Sequence, residues 1–391
     1  MSDSPGKFVK LPINKNITII EGLATGVPTY VTRQEDTADF VAKLPSLKRI
    51  RHRIHKIYQN TNIDTKYLAL DLFAKENQEI YTGHLPIQDR MKIYQEKTIP
   101  LVEEVARNAL MKAINDENSE QDLSKSNFLD SIQFVIVVSS TGFLAPGLDV
   151  ELIKRLGLRR DIARTTVGFM GCAAAMNGMK IASDHVRAFP DHKTLLVCVE
   201  LSSVNAVFED NLNSAIIHSI FGDGCAAAVI GNSKKTISPK QIVLEKHFSY
   251  LTDHTEDGIV LELRQNGITC QLSPSLPRYI ETNIRHCIED CLEQQKLTLN
   301  DISFWGVHPG GTKILQAVQN SLKLQSEHLT ESWEILHQYG NMLSPTILFV
   351  LERILNRKIE TSKKHLSSDF QWGIAFSFAP GISIEGVLFR I

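Results

Sequence analysis

The chain has 391 residues, with 42 lysines and arginines against 44 aspartates and glutamates, and a formal net charge of −2. That balance excludes a nucleic-acid binder that works by bulk charge, and it excludes a polybasic membrane anchor. Apolar residues make up 43% and charged residues 22%, and no apolar run is long enough to cross a membrane, so the composition is that of a globular enzyme with a large core.

Residues 1–7 lack the apolar stretch of a signal peptide and read as part of a loose arm. Six irregularly spaced cysteines are too sparse for a secreted disulfide scaffold, so a cytoplasmic, reducing location is expected. Residues 44–67 read as basic and helical, with Lys48, Arg49, Arg51, Arg53 and Lys56; taken alone, such a run is a solvated helix face. A strand is predicted at 134–138, helices at 149–156 and 173–188, and strands at 194–200 and 225–231. The polar, turn-rich segment 231–239 divides the chain into halves, 1–235 and 236–391. Asn266-Gly267, set between two apolar runs, is a two-residue hairpin signal. The theme then repeats: a strand at 302–308, helices at 312–322 and 345–355, and strands at 373–378 and 382–389. Short apolar strands alternating with helices imply strands covered on both faces, so each half reads as an α/β layer structure.

Three segments carry candidate chemistry. In VGFMGCAAAMNG, Cys172 stands before a small-residue helix, where the helix dipole favours thiolate; a buried core cysteine is the equal alternative. In GVHPGG, His308 ends an apolar strand and enters a turn, the place where α/β proteins set their sites. In YGNMLSP, Asn341 precedes a helix and on its own reads as part of a capping region. Together they can assemble a nucleophile, a base and an amide donor.

The words GFMGCAAAMNGM, FGDGCAAAVIG, GVHPGG, YGNMLSP and FAPGISIEG, in this order, resemble type III polyketide synthases, the chalcone synthase-like enzymes. The resemblance runs from about residue 15 onward and implies a thiolase-type fold, two similar halves layered α-β-α-β-α. It implies that Cys172 carries the acyl chain as a thioester, with His308 pairing with the thiolate and Asn341 acting on the thioester carbonyl. It implies no metal or redox cofactor, with an acyl-CoA starter and malonyl-CoA as substrates. A homodimer is implied too; the sequence leaves open whether CoA or an acyl carrier protein donates the starter.

Phe221 matches the phenylalanine at the junction of CoA tunnel and cavity. Arg53 and Lys56 match basic residues that meet the CoA phosphates; the next basic position is Asn60, and Lys313 stands in for it. The loop with Ser140 and Thr141 matches one that reaches toward the partner's cavity, and Ala145 stands where plant enzymes have methionine. Cys270 replaces a second gating phenylalanine. Leu261 and Leu343 replace glycine and serine, while Ser202 and Asn205 replace threonines. Glu200 matches a glutamate linked to aldol-type release, although Leu343 cannot supply the hydroxyl used there. These changes point to an apolar channel for an alkyl chain and to an alkylresorcinol product, with an alkylpyrone as the alternative. A single-condensation ketosynthase and a non-catalytic acyl-thioester scaffold are the remaining rivals. The word GDGCAA fits a weak dinucleotide pattern, but an apolar strand rather than a helix follows it. Cys198 and Cys225 read as core. Cys287 and Cys291, four apart on a helix, lack the further ligands of a metal site.

Overall fold

The structure, a computed structural model, describes residues 9–10, 17–114, 128–233, 236–364 and 370–391. The arm expected at the N-terminus lies almost wholly outside them. Up to residue 233 the elements are β1 (Val9–Lys10), β2 (Ile17–Gly26), β3 (Tyr30–Arg33), α1 (Gln34–Lys43), α2 (Ile54–Gln59), β4 (Thr65–Leu68), α3 (Gln78–Thr82), α4 (Ile87–Ile114), α5 (Phe128–Ser131), β5 (Ile132–Val138), α6 (Leu148–Leu156), β6 (Ala163–Val167), α7 (Ala174–Ala188), β7 (Lys193–Leu201), α8 (Leu212–Ile220) and β8 (Asp223–Ser233). From residue 236 they are β9 (Thr236–Ile237), β10 (Ile242–Leu251), β11 (Ile259–Arg264), β12 (Gly267–Leu272), α9 (Leu276–Glu293), β13 (Ile302–Val307), α10 (Thr312–Leu322), α11 (Thr330–Tyr339), α12 (Thr346–Lys364), β14 (Trp372–Ala379) and β15 (Ser383–Arg390).

Nine strands form one mixed sheet in the order β13-β14-β15-β10-β2-β8-β7-β5-β6. Its two blocks meet at a narrow seam, where β10 and β2 pair only through Ile242 with Ile20 and Val243 with Ile19. Side chains alternate across each strand. Val135, Val137, Leu195, Val197 and Val199 face one core with α4 and α6. Ile136, Val138, Leu196 and Cys198 face a second core with α7 and α12, which Ala375, Val387 and Phe389 join from the other block. Ile374, Phe376 and Leu388 face a third core with α9 and α10. The result is the five-layer α-β-α-β-α arrangement, with α7 and α12 as the shared middle layer. A Cβ at Gly178 would lie 2.7 Å from Leu196 Cδ1 and 3.0 Å from Val138 Cγ2, so the small residue lets α7 lie against β5 and β7.

The basic stretch differs from expectation. Residues 51–53 make a 3₁₀ turn, only Ile54–Gln59 is α-helical, and Thr65–Leu68 is a strand. The reason is tertiary: this short amphipathic segment buries Ile54 and Tyr58, while its basic residues stay exposed. The Asn266-Gly267 turn closes the β11–β12 hairpin, pairing Arg264 with Gly267. The helix expected at 345–355 runs further, as Thr346–Lys364.

Candidate active site

Cys172 sits in the 3₁₀ turn that feeds α7, after Gly171, whose φ of +57° favours glycine. The Gly171 N–H donates to Ser140 Oγ at 3.2 Å, which ties this turn to the end of β5. His308 follows β13, its N–H donating to the Phe376 carbonyl of β14 at 3.0 Å. Asn341 lies between α11 and α12, and its N–H donates to the Ile220 carbonyl at 2.8 Å. Its side chain does not cap α12. Asn341 Oδ1 accepts from Leu343 N–H at 2.8 Å, while Thr346 Oγ1 accepts from Met342 N–H at 2.9 Å.

That local turn aims the Asn341 amide. Its Nδ2 lies 3.8 Å from the Cys172 sulfur and 3.4 Å from the Gly310 carbonyl of the histidine loop. The ring of the buried His308 faces the same cavity as Cys172, and the nearby Asn341 amide acts on it. Three residues far apart in sequence thus meet at one point.

Burial pushes the Cys172 thiol up, and the neighbouring Cys270 adds to this. The helix-terminus effect expected from sequence is therefore outweighed for the thiolate alone. Burial pushes the His308 imidazole down to about 3. Each charge alone is disfavoured. A proton moved from sulfur to imidazole would leave the two groups neutral overall.

The pair opens into a cavity of about 430 Å³ lined largely by apolar groups, among them Ile216, Ile220, Ile259, Leu276 and Ile280. A second cavity of about 540 Å³ lies beside it, lined by Ser140, Thr141, Ser202, Asn205 and Val207. Phe221, Leu261, Cys270 and Leu343 line both and form the partition between them. Eight of the sequence-predicted cavity residues are thereby brought together.

Two are not. Ala145 is exposed on a loop, next to the cis Ala145–Pro146 bond, and lines neither cavity of its own protomer. Glu200 lies behind the wall, fully buried, and accepts hydrogen bonds from Ser140 N–H, Thr141 Oγ1 and Ser344 Oγ. Burial raises its carboxyl to about 7. The hydroxyl that Leu343 cannot supply comes from the next residue, Ser344, at 2.7 Å. Sequence reasoning missed it, although its adjacency to Leu343 was a readable signal.

At the mouth of the first cavity stand Ile57, Asn60 and Lys313. Arg53 and Lys56 are exposed on the same turn and helix, just outside the lining. Cys198 and Cys225 are fully buried in β7 and β8, and Cys287 and Cys291 are buried on α9. Asp223, in the GDG word, is a buried structural carboxylate that accepts from Ala69 and Ser203 N–H.

The chain matches two family models, the N-terminal domain of chalcone and stilbene synthases over residues 9–234 and their C-terminal domain over 245–391. It is 42% identical over 377 residues to an "Alpha-pyrone synthesis polyketide synthase-like Pks18" of Mycobacterium tuberculosis, covering 96% of this chain and 91% of that protein. It is 31% identical over 375 residues to "Polyketide synthase 37" of Dictyostelium discoideum, where the match spans 12% of a much longer protein. Among solved structures it resembles PKS-I of the brown alga Ectocarpus siliculosus, with a TM-score of 0.88, 41% identity and coverage of 96% and 99% of the two chains. The type III domain of Steely1 from Dictyostelium shares the fold, with a TM-score of 0.83, 23% identity and coverage of 96% and 99%.

Proposed function

The chain belongs to the chalcone and stilbene synthase family of type III polyketide synthases, acyltransferases that work by decarboxylative Claisen condensation, and on that premise we propose that it converts a fatty-acyl starter and malonyl-CoA into an alkyl α-pyrone. The observation that carries this reading is the Asn341 amide, 3.8 Å from the Cys172 sulfur in the wall of the apolar cavity.

His308 takes the thiol proton as Cys172 attacks the starter thioester. The C–S bond to CoA breaks, the departing CoA thiolate takes the proton from His308, and an acyl-Cys172 forms. Malonyl-CoA then loses its carboxylate as CO₂, and the electron pair moves into an enolate. The Asn341 amide and a His308 N–H meet the enolate oxygen, a contribution of roughly 3–4 kcal/mol per donor. The enolate carbon attacks the acyl-Cys172 carbonyl, a C–C bond forms and the thiolate returns. After two extensions and return of the chain to Cys172, an enol oxygen of the chain attacks the thioester carbonyl. The ring C–O bond forms as the C–S bond breaks, and the enol proton ends on the released Cys172 sulfur, with no water required.

The first half, 1–235, supplies Cys172, and the second, 236–391, supplies His308 and Asn341. Apolar walls around Ile216, Ile259 and Ile280 suit an alkyl chain. Lys313 at the mouth, with Arg53 and Lys56 beside it, suits CoA phosphates. An acyl carrier protein, which presents the same thioester arm, is the alternative starter donor. The lactone reading is supported by Leu343 beside the thiol and by the activity named for the mycobacterial relative. One observation favours aldol closure to an alkylresorcinol instead: the Glu200 carboxyl with its Ser344 hydroxyl partner.

The exposed apolar surface of Phe143 and Met170, where the Phe143 ring lies 5.0 Å from a tilted Phe169 ring, suits the second copy of a homodimer. A cytoplasmic location suits the reading, because CoA thioesters are available there.

The test is mass spectrometry of products from labelled malonyl-CoA with starters from acetyl to palmitoyl, with Cys172→Ala beside the wild type. Pyrones from long starters, absent in the variant, are expected. Resorcinols would move the reading to aldol closure, and linear β-keto acids to a single condensation. No product from any starter overturns it.

A further inference from the structure

Lys66 is 2% exposed, although lysine is rarely buried without a charged partner at hydrogen-bond distance. Its position explains what holds it there. Lys66 Nζ donates to the carbonyls of His218 at 2.7 Å and Ser219 at 3.3 Å. These carbonyls belong to the last turn of α8, which leaves such groups without helical partners and presents the negative end of its dipole. The amine also stands 5.7 Å from the centroid of the Tyr58 ring.

The stem does a second job. A Cβ at Gly340 would lie 3.2 Å from the Cγ and Cδ of Lys66, and one at Gly222 would lie 3.7 Å from its Cβ. The lysine therefore lies along both glycines. Neither has room for a side chain: the Gly222 position would meet Tyr339 O at 2.6 Å, and the Gly340 position Ile220 O at 2.7 Å. Between these glycines run Phe221 and Asn341.

A second tie reaches the same helix turn. Gln34 Nε2 donates to Ser219 O at 2.7 Å and to Thr61 Oγ1 at 2.8 Å, and Thr312 Oγ1 donates to Thr61 O at 2.7 Å. Thr312 opens α10, directly after the His308 loop. The end of α8 is thus fixed from both sides of the site.

We infer that Lys66 is a positioning residue for the condensation: by capping α8 and packing along Gly222 and Gly340, it sets where Phe221 and the Asn341 amide stand relative to the Cys172 sulfur. This rests on the reading that Asn341 acts on the thioester oxygen.

The test is Lys66→Met, which keeps the stem and removes the amine, beside Lys66→Arg, which restores donors. Rates are counted per Cys172 loaded by a labelled acyl-CoA, so that misfolded molecules drop out. Malonyl-CoA decarboxylation per loaded site is expected to fall about tenfold or more in Lys66→Met, with KM for malonyl-CoA within about twofold and substantial recovery in Lys66→Arg. An unchanged rate per site overturns the inference. So does an equal fall in loading and decarboxylation that Lys66→Arg fails to rescue. Absence of malonyl-CoA decarboxylation in the wild type would instead overturn the reading of Asn341, so the two failures are distinct.

Discussion

The backbone of Phe221 is bridged to that of Asn341 as an isolated pair of parallel strand residues. Gly222 N–H donates to Asn341 O at 3.0 Å, and Asn341 N–H donates to Ile220 O at 2.8 Å. The aromatic ring that partitions the two cavities and the amide that meets the thiol are therefore held in one fixed relation. A shift of either moves the other. Cavity shape and thioester contact are set together, by main-chain hydrogen bonds that do not depend on either side chain.

On the proposed mechanism, the Cys172 thiolate is expected to depend on the His308 imidazole. Burial raises the isolated thiol and lowers the isolated His308, so neither charge is stable alone. Removing the imidazole leaves a lone anion in the cavity and shifts thiol ionisation further up. Alkylation of Cys172 by iodoacetamide at pH 7 is expected to slow about tenfold or more in His308→Gln, with the rate recovering only at alkaline pH. Rate against pH, followed by mass spectrometry of the modified peptide, checks this. Identical profiles for the two proteins would show that the pair is not coupled.

Glu200 links stability to pH. Its folded carboxyl lies at about 7 against an ordinary value of 4.5, with burial as the cause. A group raised on folding favours the native state fully below its unfolded value. That contribution is lost as pH rises through the folded one. The difference corresponds to about 3 kcal/mol across pH 4.5 to 7. Glu200→Gln keeps a neutral hydrogen-bonding group there and escapes the loss. Its melting temperature relative to the wild type is expected to be higher at pH 8 than at pH 5, by a few degrees. A gap that does not change with pH would mean that Glu200 keeps one protonation state throughout.

Cys270 leaves space where the two cavities join. Phenylalanine there would fill the junction and confine the acyl chain to one chamber. Cys270→Phe is expected to reduce kcat/KM for long starters about tenfold or more while short starters are retained, because overpacking costs roughly 1–3 kcal/mol. Product profiles across starter lengths provide the check. Uniform loss over all lengths would point to a folding defect instead.

Phe143 is 48% exposed and Met170 is 36% exposed, beside the turn that carries Cys172. Charge on such a surface opposes its burial against a second copy. The wild type is expected to run as a dimer in light-scattering chromatography at micromolar concentration, and Phe143→Asp as a monomer. A dimeric variant would place the interface elsewhere.

Strands β5, β7, β8, β13, β14 and β15 were legible because strands covered on both faces leave unbroken apolar runs. Cys172, His308 and Asn341 were legible because each stands in a glycine- or proline-marked turn at the end of such an element. The long helix α4 was not, for Pro100 lies inside it and its pattern is weakly amphipathic. Segment 44–67 misled because its charge run has helical spacing, while Tyr58 and Lys66 obey tertiary partners on α8 and β8. Ionisation was the least legible property. The dipole at the start of α7 is local and visible in sequence, whereas the burial that outweighs it depends on residues from both sheet blocks.

The order of the sheet also bears on how the enzyme comes into being. His308 takes its main-chain partner from Phe376 on β14, and β15 inserts between β14 and β10. During synthesis the cysteine turn emerges long before these strands. Until they pair, His308 has no fixed place facing the cavity of Cys172. A growing polypeptide thus carries the cysteine well before the assembled site, which arrives only with the closing hairpin of the sheet.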